Sequence, residues 1–399
     1  MGILTKKKFL PEASGPYATS CADLMTEYSQ YGVFIRLYYP TSKASTGTEG
    51  WFRWVPHDMY TQGLACVVSL WVFILRLVMW WYGGEMYVPA QWEAPLLPAS
   101  HSERKEKLPV IIFSHGFGAA RYFCSAMLLE LASQGYVVAS LEHRDTSACA
   151  TYFYKSAAHR DKDERTWIPH AKLEIGPQHY ELRRKQVRCR RDECVKSLDF
   201  LEDINSGNTN KNILKTSLDL QGFKDQLDLD SVTVMGHSFG GSTALLTLAS
   251  DTRFKQGVIL DGWMFPLKEE DVVVPQPLLL INTPTFHIAS NISVMTDQII
   301  NRPAEARRQL YIIRTSNHET QTDAPFVFGY WLDLFKPKID PYLGTTINNY
   351  LIIKYLQPMT GIPSGAEQID QELKKHQELI IEGRLPDPVR PRKGMSLLS

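Results

Sequence analysis

The sequence lacks several features that mark common classes of protein. Its 399 residues include 43 basic and 43 acidic side chains, so no net charge would attract nucleic acid. It has only six cysteines and no CxxC pair, which argues against a disulfide scaffold and against a zinc site of that kind. We expect reduced thiols, no nucleic-acid partner and an oligomeric state that the sequence leaves open.

Nucleotide and metal motifs are also missing. No strand-like run is followed by GxGxxG, and GxxxxGK[ST] does not occur, so the usual argument for a dinucleotide or nucleoside triphosphate fails. His115, His143 and His237 fit no HExxH or related spacing, and no carboxylate cluster accompanies them. We predict no catalytic metal and no cofactor.

The first 30 residues contain no apolar run long enough for a signal peptide. This favours a cytoplasmic protein, associated peripherally with membranes. The myristoylation pattern at Gly2 is weak, because Lys6 stands where that pattern wants serine or threonine.

One apolar segment reaches membrane length, GLACVVSLWVFILRLVMWWY at 63–82. About 20 such residues could span a bilayer, but Arg76 inside it would cost roughly 2.5–3.5 kcal/mol at the bilayer centre, and tryptophan favours the interface. We favour a helix lying at the membrane interface; a buried core helix and a true span are the alternatives. The residues expected to contact lipid are Leu70, Trp71, Phe73, Ile74, Trp80 and Trp81.

Beyond this segment, short apolar runs alternate with helical patterns. This is typical of the α/β class, with a mostly parallel central sheet flanked by helices. The strand-like runs are 110–113, 136–141, 232–235, 258–260, 278–281 and 310–313.

The length and the 44% hydrophobic content suit one large domain or two smaller ones. We predict a single domain over residues 1–399. A charged insertion, 145–230, separates the second and third strand-like runs. Val187, Cys194, Val195, Leu198 and Leu201 recur there at helical spacing, which predicts an amphipathic helix. The tail 361–399, rich in proline and charge, is expected to be loosely ordered.

The most informative motif is GHSFG at 236–240, which follows a strand-like run and precedes small residues that can open a helix. This is the context of a nucleophile elbow, where a sharp turn exposes a serine and flanking glycines relieve crowding. The helix N-terminus beside the serine favours a developing oxyanion. Ser238 is therefore our nucleophile; the alternative is an ordinary glycine-bounded turn.

A second glycine-containing turn, SHGFG at 114–118, follows the first parallel strand. A hydrolase of this type places its other oxyanion donor there. We predict the backbone N–H groups of Phe117 and Phe239 as the oxyanion hole. Their side chains, with Trp263, would close an apolar acyl pocket. The alternative for 114–118 is a plain turn.

The acid and base should follow the serine in the order acid, then histidine, each after a later strand. Asp261 ends the run 258–260, and His318 follows the run 310–313 across a turn-rich loop. We assign Asp261 as the acid and His318 as the base. Asp261 could instead cap a turn, and His318 could be an ordinary surface histidine. His287 is the other histidine that follows Asp261 near a strand end.

At these residues the sequence resembles the platelet-activating factor acetylhydrolases. The matching blocks are PVIIFSHGFGA from 109, EHRD from 142, MGHSFGG from 235 and LDGWMFPL from 260. The likeness runs from about residue 15 to the region of 354. The resemblance also implies the α/β-hydrolase fold, the triad Ser238, Asp261 and His318, and Phe117 and Phe239 as oxyanion donors. Phe117 stands where relatives have leucine.

The resemblance implies a calcium-independent hydrolase of the sn-2 acetyl or short, oxidised acyl group of phospholipids. It also implies that a helix near 64–79 docks on a membrane or lipid-aggregate surface; the added aromatic residues at 80–82 depart from the family pattern. Two other functions remain open. One is a broad carboxylesterase or lipase, and the other is a catalytically silent, lipid-binding hydrolase fold.

Overall fold

The computed structural model describes residues 7–43, 47–101, 104–172, 176, 178–329, 338–363 and 367–383. The described strands are β1 (Lys7–Phe9), β2 (Ala18–Met25), β3 (Phe34–Thr41), β4 (Phe52–Arg53), β5 (Glu85–Val88), β6 (Gln91–Trp92), β7 (Leu108–Ser114), β8 (Val137–Leu141), β9 (Ala150–Phe153), β10 (Thr166–Pro169), β11 (Leu227–His237), β12 (Gln256–Leu260), β13 (Leu278–Asn282), β14 (Arg308–Ile313) and β15 (Ile380–Glu382). The described α-helices are α1 (Asp58–Val67), α2 (Val72–Tyr82), α3 (Ser125–Ser133), α4 (Ala157–Asp161), α5 (Gln178–Asn205), α6 (Phe239–Ser250), α7 (Ala289–Val294), α8 (Ala324–Phe328), α9 (Pro341–Thr360) and α10 (Glu367–Lys375).

Ten of these strands form a central sheet in the order β15-β14-β13-β12-β11-β7-β8-β3-β2-β6. The six from β14 to β8 are mutually parallel, and they are the six that the apolar runs predicted. Antiparallel strands β15 and β3 extend the two edges. The predicted α/β class with a mostly parallel sheet is confirmed.

Both faces of the sheet are covered. Successive residues of β7 alternate between two apolar clusters: Ile111 and Phe113 belong to one, and Val110 and Ile112 to the other. The first cluster includes side chains of α3 and α9, and the second includes those of α5 and α6. Strands buried on both faces read as continuous apolar runs, which is why these six were visible in the sequence.

The sequence analysis expected one helix over residues 63–82, and this expectation is wrong. The segment contains most of α1 and all of α2, whose axes differ by 108°. The break lies at Val68–Trp71, where Ser69 has a φ of 54° and cannot continue a right-handed helix. Within the described residues no single helix is long and apolar enough to cross a membrane, and only this bent pair passes such a test, by length and composition together.

The insertion 145–230 contains the amphipathic helix, α5, with Val187, Cys194, Leu198 and Leu201 buried. It also contains the β9–β10 hairpin, which the sequence analysis missed.

The expectation of a loose tail is wrong for residues 367–383. There α10 buries Ile369 and Leu373, and β15 pairs with β14. Apolar residues at helical spacing inside the charged tail supply the contacts. Residues 384–399 lie outside the described residues.

Candidate active site

Ser238 lies at the turn between β11 and α6. Its φ is 57°, in the left-handed region that costs most residues energy. A Cβ atom at Gly236 would lie 2.0 Å from the Gly240 carbonyl oxygen, and one at Gly240 would lie 1.9 Å from the Ser114 carbonyl oxygen. Only glycine fits at these two positions, so the sequence pattern GHSFG reflects a steric requirement of this turn.

Asp261 follows β12 and is fully buried. Its carboxylate accepts hydrogen bonds from the Thr283 backbone N–H at 2.6 Å and from the Thr283 hydroxyl at 2.7 Å. The Nδ1 atom of His318 lies 3.0 Å from Asp261 Oδ2. Because a carboxylate only accepts, Nδ1 carries the proton and Nε2 of His318 is left as the basic atom.

The imidazole of His318 is held between two other rings. Phe286 stacks on it at 4.2 Å between centroids, and His237 lies 4.4 Å away on a tilted plane. The His318 backbone N–H donates to the Thr285 hydroxyl at 3.1 Å. Burial, with the nearby His318, holds the pKa of His237 well below its usual value. His237 is thus a neutral neighbour of His318.

Ser238 and His318 line the same apolar cavity, whose volume is about 220 Å³. Within the described residues their side chains do not form a hydrogen bond with each other. Such bonds are often long in unliganded enzymes and tighten when substrate binds. The arrangement supplies a nucleophile, a base and an acid that orients the base.

The two predicted oxyanion donors flank this cavity. Phe239 is the first residue of α6, and Phe117 lies on the loop after β7. Neither backbone N–H donates a hydrogen bond to any described part of the chain. A free N–H at a helix start is available to an oxyanion.

The expectation for the acyl pocket is wrong for two of its three side chains. Phe117 lines the cavity, whereas Phe239 and Trp263 do not. These two rings pack against each other at 5.3 Å between centroids, inside the second apolar cluster. A backbone donor and its side chain point in different directions at the start of a helix, and the sequence motif does not distinguish them.

The walls that the sequence analysis missed come from distant segments. Residues of α1, α2 and the turn between them face Ser238 across the cavity, together with aromatic residues near α3 and in α8. They are Leu64, Val67, Val68, Leu75, Phe123 and Phe328. No motif marks these positions, because they meet only in the folded chain. One side of the apolar segment therefore belongs to the candidate active site.

The other side of this segment faces solvent. Of the six residues predicted to contact lipid, Trp71, Phe73 and Trp81 are 74%, 64% and 72% exposed. Trp80 is also exposed, whereas Leu70 and Ile74 are half-buried. The prediction overlooked further exposed residues, which are Val68, Leu77 and Tyr82. The segment thus exposes seven large apolar side chains beside the cavity, and clustered exposure of this kind is typical of a binding surface.

The charge inside the segment is paired. Arg76 Nη2 lies 2.6 Å from Asp58 Oδ1 at the start of α1, and both side chains are about half exposed. Such a surface pair contributes only about 0–1 kcal/mol, so it places Arg76 more than it stabilises the fold.

No group of three or more metal-ligating side chains occurs in the described parts of the chain. His143 is hydrogen-bonded to Ser114 and Glu193, and His115 lies against the Gly116 carbonyl oxygen. The predicted absence of a catalytic metal stays a prediction.

Comparison with known proteins agrees with this geometry. The family model for platelet-activating factor acetylhydrolase, isoform II, matches residues 2–380. Platelet-activating factor acetylhydrolase of Cavia porcellus is 35% identical over 96% of this chain and 86% of its own length. The Gallus gallus enzyme of that name is 37% identical, over 90% and 86%.

Two more distant proteins are also similar, one in sequence and one in structure. A putative phospholipase A2 of Schizosaccharomyces pombe is 23% identical over 89% of this chain and 90% of its own. The solved ferulic acid esterase of Streptomyces cinnamoneus superposes with a TM-score of 0.63 at 17% identity, covering 94% of this chain and 99% of the esterase. The chain therefore has the α/β-hydrolase fold, and it belongs to the platelet-activating factor acetylhydrolase, isoform II, family of serine ester hydrolases.

Proposed function

We propose that this protein removes the sn-2 acetyl group, or another short or oxidised acyl group, from phospholipids of the platelet-activating factor type at a lipid surface. The observation that carries the proposal is the placement of Ser238 and the Asp261–His318 pair around one small apolar cavity. One wall of this cavity is formed by the segment 63–82, whose other side is an exposed apolar surface.

The proposed reaction is acyl transfer in two steps. His318 Nε2 takes the hydroxyl proton of Ser238, and the serine oxygen attacks the sn-2 ester carbonyl. The backbone N–H groups of Phe117 and Phe239 bind the oxyanion. The lyso-phospholipid leaves with the proton from His318. His318 then takes a proton from water, the resulting hydroxide attacks the acyl-enzyme carbonyl, and His318 returns the proton to the Ser238 oxygen as the carboxylic acid leaves. No step requires calcium.

The cavity favours short acyl groups. Its volume of about 220 Å³ is below the roughly 300–1,000 Å³ typical of sites that enclose drug-sized ligands. A long acyl chain would have to extend out of the cavity into solvent or displace the walls provided by α1 and α2. Each additional methylene changes binding by only about 1–3 kcal/mol in such pockets, so we expect a graded preference for short chains.

A Ser238→Ala variant tests the assignment. The variant should lose at least about 10³-fold in kcat on an sn-2 acetyl lipid, since loss of a triad serine removes the covalent step. It should also lose labelling by a fluorophosphonate probe. Ser250→Ala, at the exposed end of the same helix, is the matched control and should keep both. A folded Ser238→Ala protein that hydrolyses the lipid at the parent rate would refute the assignment.

The same assay separates the two remaining functions. Faster hydrolysis of an sn-2 palmitoyl lipid than of the acetyl lipid would identify a general lipase. A wild-type protein that binds vesicles but is not labelled by the fluorophosphonate would identify a silent hydrolase fold.

A further inference from the structure

Two arginines of helix α5 contact the side chains of the two residues that are proposed to bind the oxyanion. Arg183 and Arg190 are seven residues apart and so lie on the same face of the helix. The guanidinium of Arg183 lies 4.2 Å from the centre of the Phe117 ring, and that of Arg190 lies 4.4 Å from the centre of the Phe239 ring. An arginine of the insertion thus covers each phenylalanine whose backbone is proposed to bind the oxyanion.

Arg190 also holds the loop 114–118, here called the oxyanion loop, by hydrogen bonds on both sides of Phe117. Its Nη1 donates to the His115 carbonyl oxygen at 2.7 Å, and its Nε donates to the Ser147 hydroxyl at 3.0 Å. The Ser147 carbonyl oxygen accepts from the Gly118 backbone N–H at 2.8 Å. His115 and Gly118 are therefore tied, directly and through Ser147, to one side chain.

The charge of this side chain is balanced at the same place. Arg190 is fully buried, and its Nε lies 2.9 Å from Asp145 Oδ2, which is also buried. Burial opposes ionisation of Asp145, but the charge of Arg190 holds the pKa of this carboxyl below its usual value. A planar, always charged guanidinium can satisfy the carboxylate, the hydroxyl and the carbonyl oxygen together, and an ammonium offers no such fixed fork.

We propose that Arg190 is a positioning residue of the oxyanion hole, which holds the Phe117 loop and the Phe239 helix start in one fixed relation. The inference rests on the proposed function. Arg190 contacts neither Ser238 nor the cavity, so it acts through the two backbone donors. Displacing such donors weakens binding of the charged transition state more than binding of the ester, so kcat falls more than KM rises.

The test compares Arg190→Lys with Arg188→Lys. Arg188 is half exposed on the same helix and pairs with Glu270, which makes it the matched control. The readouts are kcat and KM on an sn-2 acetyl lipid, and the inhibition constant of a short-chain trifluoromethyl ketone, whose adduct with serine carries an oxyanion. Thermal unfolding checks that each variant is folded.

Arg190→Lys should lower kcat by about 10- to 100-fold, below the roughly 10²–10³-fold loss on removing an oxyanion donor. KM should change less than about threefold, and ketone affinity should fall with kcat/KM. Arg188→Lys should match the wild type. If Arg190→Lys does not fold, Ser147→Ala, which keeps the Arg190–Asp145 pair, should show the same pattern at about 3- to 10-fold, by the same argument.

Two results would overturn the inference. One is a folded Arg190→Lys protein, or Ser147→Ala in its place, with kcat within twofold of wild type. The other is a loss of kcat with unchanged ketone affinity, which would show a general structural effect. A wild-type protein that the ketone does not inhibit would instead count against the proposed function itself.

Discussion

At the scale of single residues, the carboxyl group of Glu193 is buried near the oxyanion loop. Its two oxygens lie 2.6 Å from His143 Nδ1 and 3.0 Å from the Arg144 backbone nitrogen. His143 Nε2 in turn lies 2.7 Å from the Ser114 hydroxyl, at the end of β7. Burial, with Asp145 as the next contribution, raises the pKa of Glu193 to about 8, although the positive charges of Arg144 and Arg190 oppose the rise.

This shift predicts a pH dependence of stability. Between about pH 4.5 and 8 the folded state retains a proton on Glu193 that the unfolded state has lost, so stability falls as pH rises through this window. Buried His143 has its pKa lowered, chiefly by burial, and contributes the opposite slope only below about pH 6.5. Burial also raises the pKa of Asp323 to about 7, which adds a loss of the same sign between pH 6.5 and 8. The contribution of Glu193 is therefore the difference between the wild type and a variant that lacks this carboxyl group.

The measurement is urea unfolding of wild type and of Glu193→Gln at pH 6.5 and pH 8. Wild type should lose about 1.5 kcal/mol more than the variant over this interval. Glu181→Gln, an exposed position on the same helix, should behave as wild type does. Equal pH slopes in wild type and Glu193→Gln would contradict the expectation.

At the scale of elements, the pair α1–α2 joins the cavity to the solvent-exposed apolar surface. Trp71 and Trp81 are largely exposed and do not line the cavity. Burying a large apolar side chain in lipid is worth about 1.5–3 kcal/mol. Replacing both with serine should therefore weaken binding to phosphatidylcholine vesicles by at least about 100-fold.

The control for this prediction is activity in the absence of lipid. Hydrolysis of a soluble acetyl ester should be unchanged in the double variant, because neither side chain contacts Ser238 or His318. Tyr31→Ser removes an aromatic residue that is 70% exposed outside the pair and should leave vesicle binding intact. Unchanged binding of the double variant, measured by vesicle sedimentation, would rule out this surface as the docking site.

Sequence reasoning predicted an interfacial role for this element, which stays a prediction, but it did not predict the shape of the element. The run of tryptophans around Arg76 indicated an interfacial segment. The break at Ser69 did not show, because a left-handed residue at a helix end is usually glycine or asparagine, and serine gives no such signal. At the break the Ser69 backbone N–H donates to the Cys66 carbonyl oxygen at 3.2 Å, and the Leu70 N–H donates to the Ala65 carbonyl oxygen at 2.9 Å.

At the scale of the whole molecule, the parallel strands and the chain order of Ser238, Asp261 and His318 could be predicted, because each follows from local pattern and topology. Strands β2 and β3 could not. Arg36 interrupts the apolar run of β3, and it is tolerated there because it pairs with Asp23, its register partner on β2, at 2.7 Å. When the partner of a charged residue lies on a neighbouring strand, the sequence alone does not show the pair, and the charged residue favours the prediction of a loop. The single-domain organisation stays a prediction.

In the C-terminal segment, composition predicted a loosely ordered tail, but contacts with the rest of the fold order residues 367–383. Residues 367–383 close the β14 edge of the sheet, and α10 buries Ile369 and Leu373. The Arg314 backbone N–H donates to the Leu379 carbonyl oxygen at 2.7 Å. This bond fixes the start of the loop that carries His318, so the segment bears on catalysis as well as on stability.

Truncation after Pro363 should therefore destabilise the protein by about 3–6 kcal/mol, from the loss of two buried aliphatic side chains at roughly 1.5–3 kcal/mol each. That is a large share of the 5–15 kcal/mol typical of a folded domain. Truncation after Gly383, which keeps every contact described for this segment, is the comparison. Urea unfolding measures the difference, and kcat measured well below the unfolding midpoint should also fall in the shorter protein, because the His318 loop has lost its anchor at Leu379. Equal stability and equal kcat in the two truncated proteins would mean that the segment packs on the sheet without supporting either the core or the base.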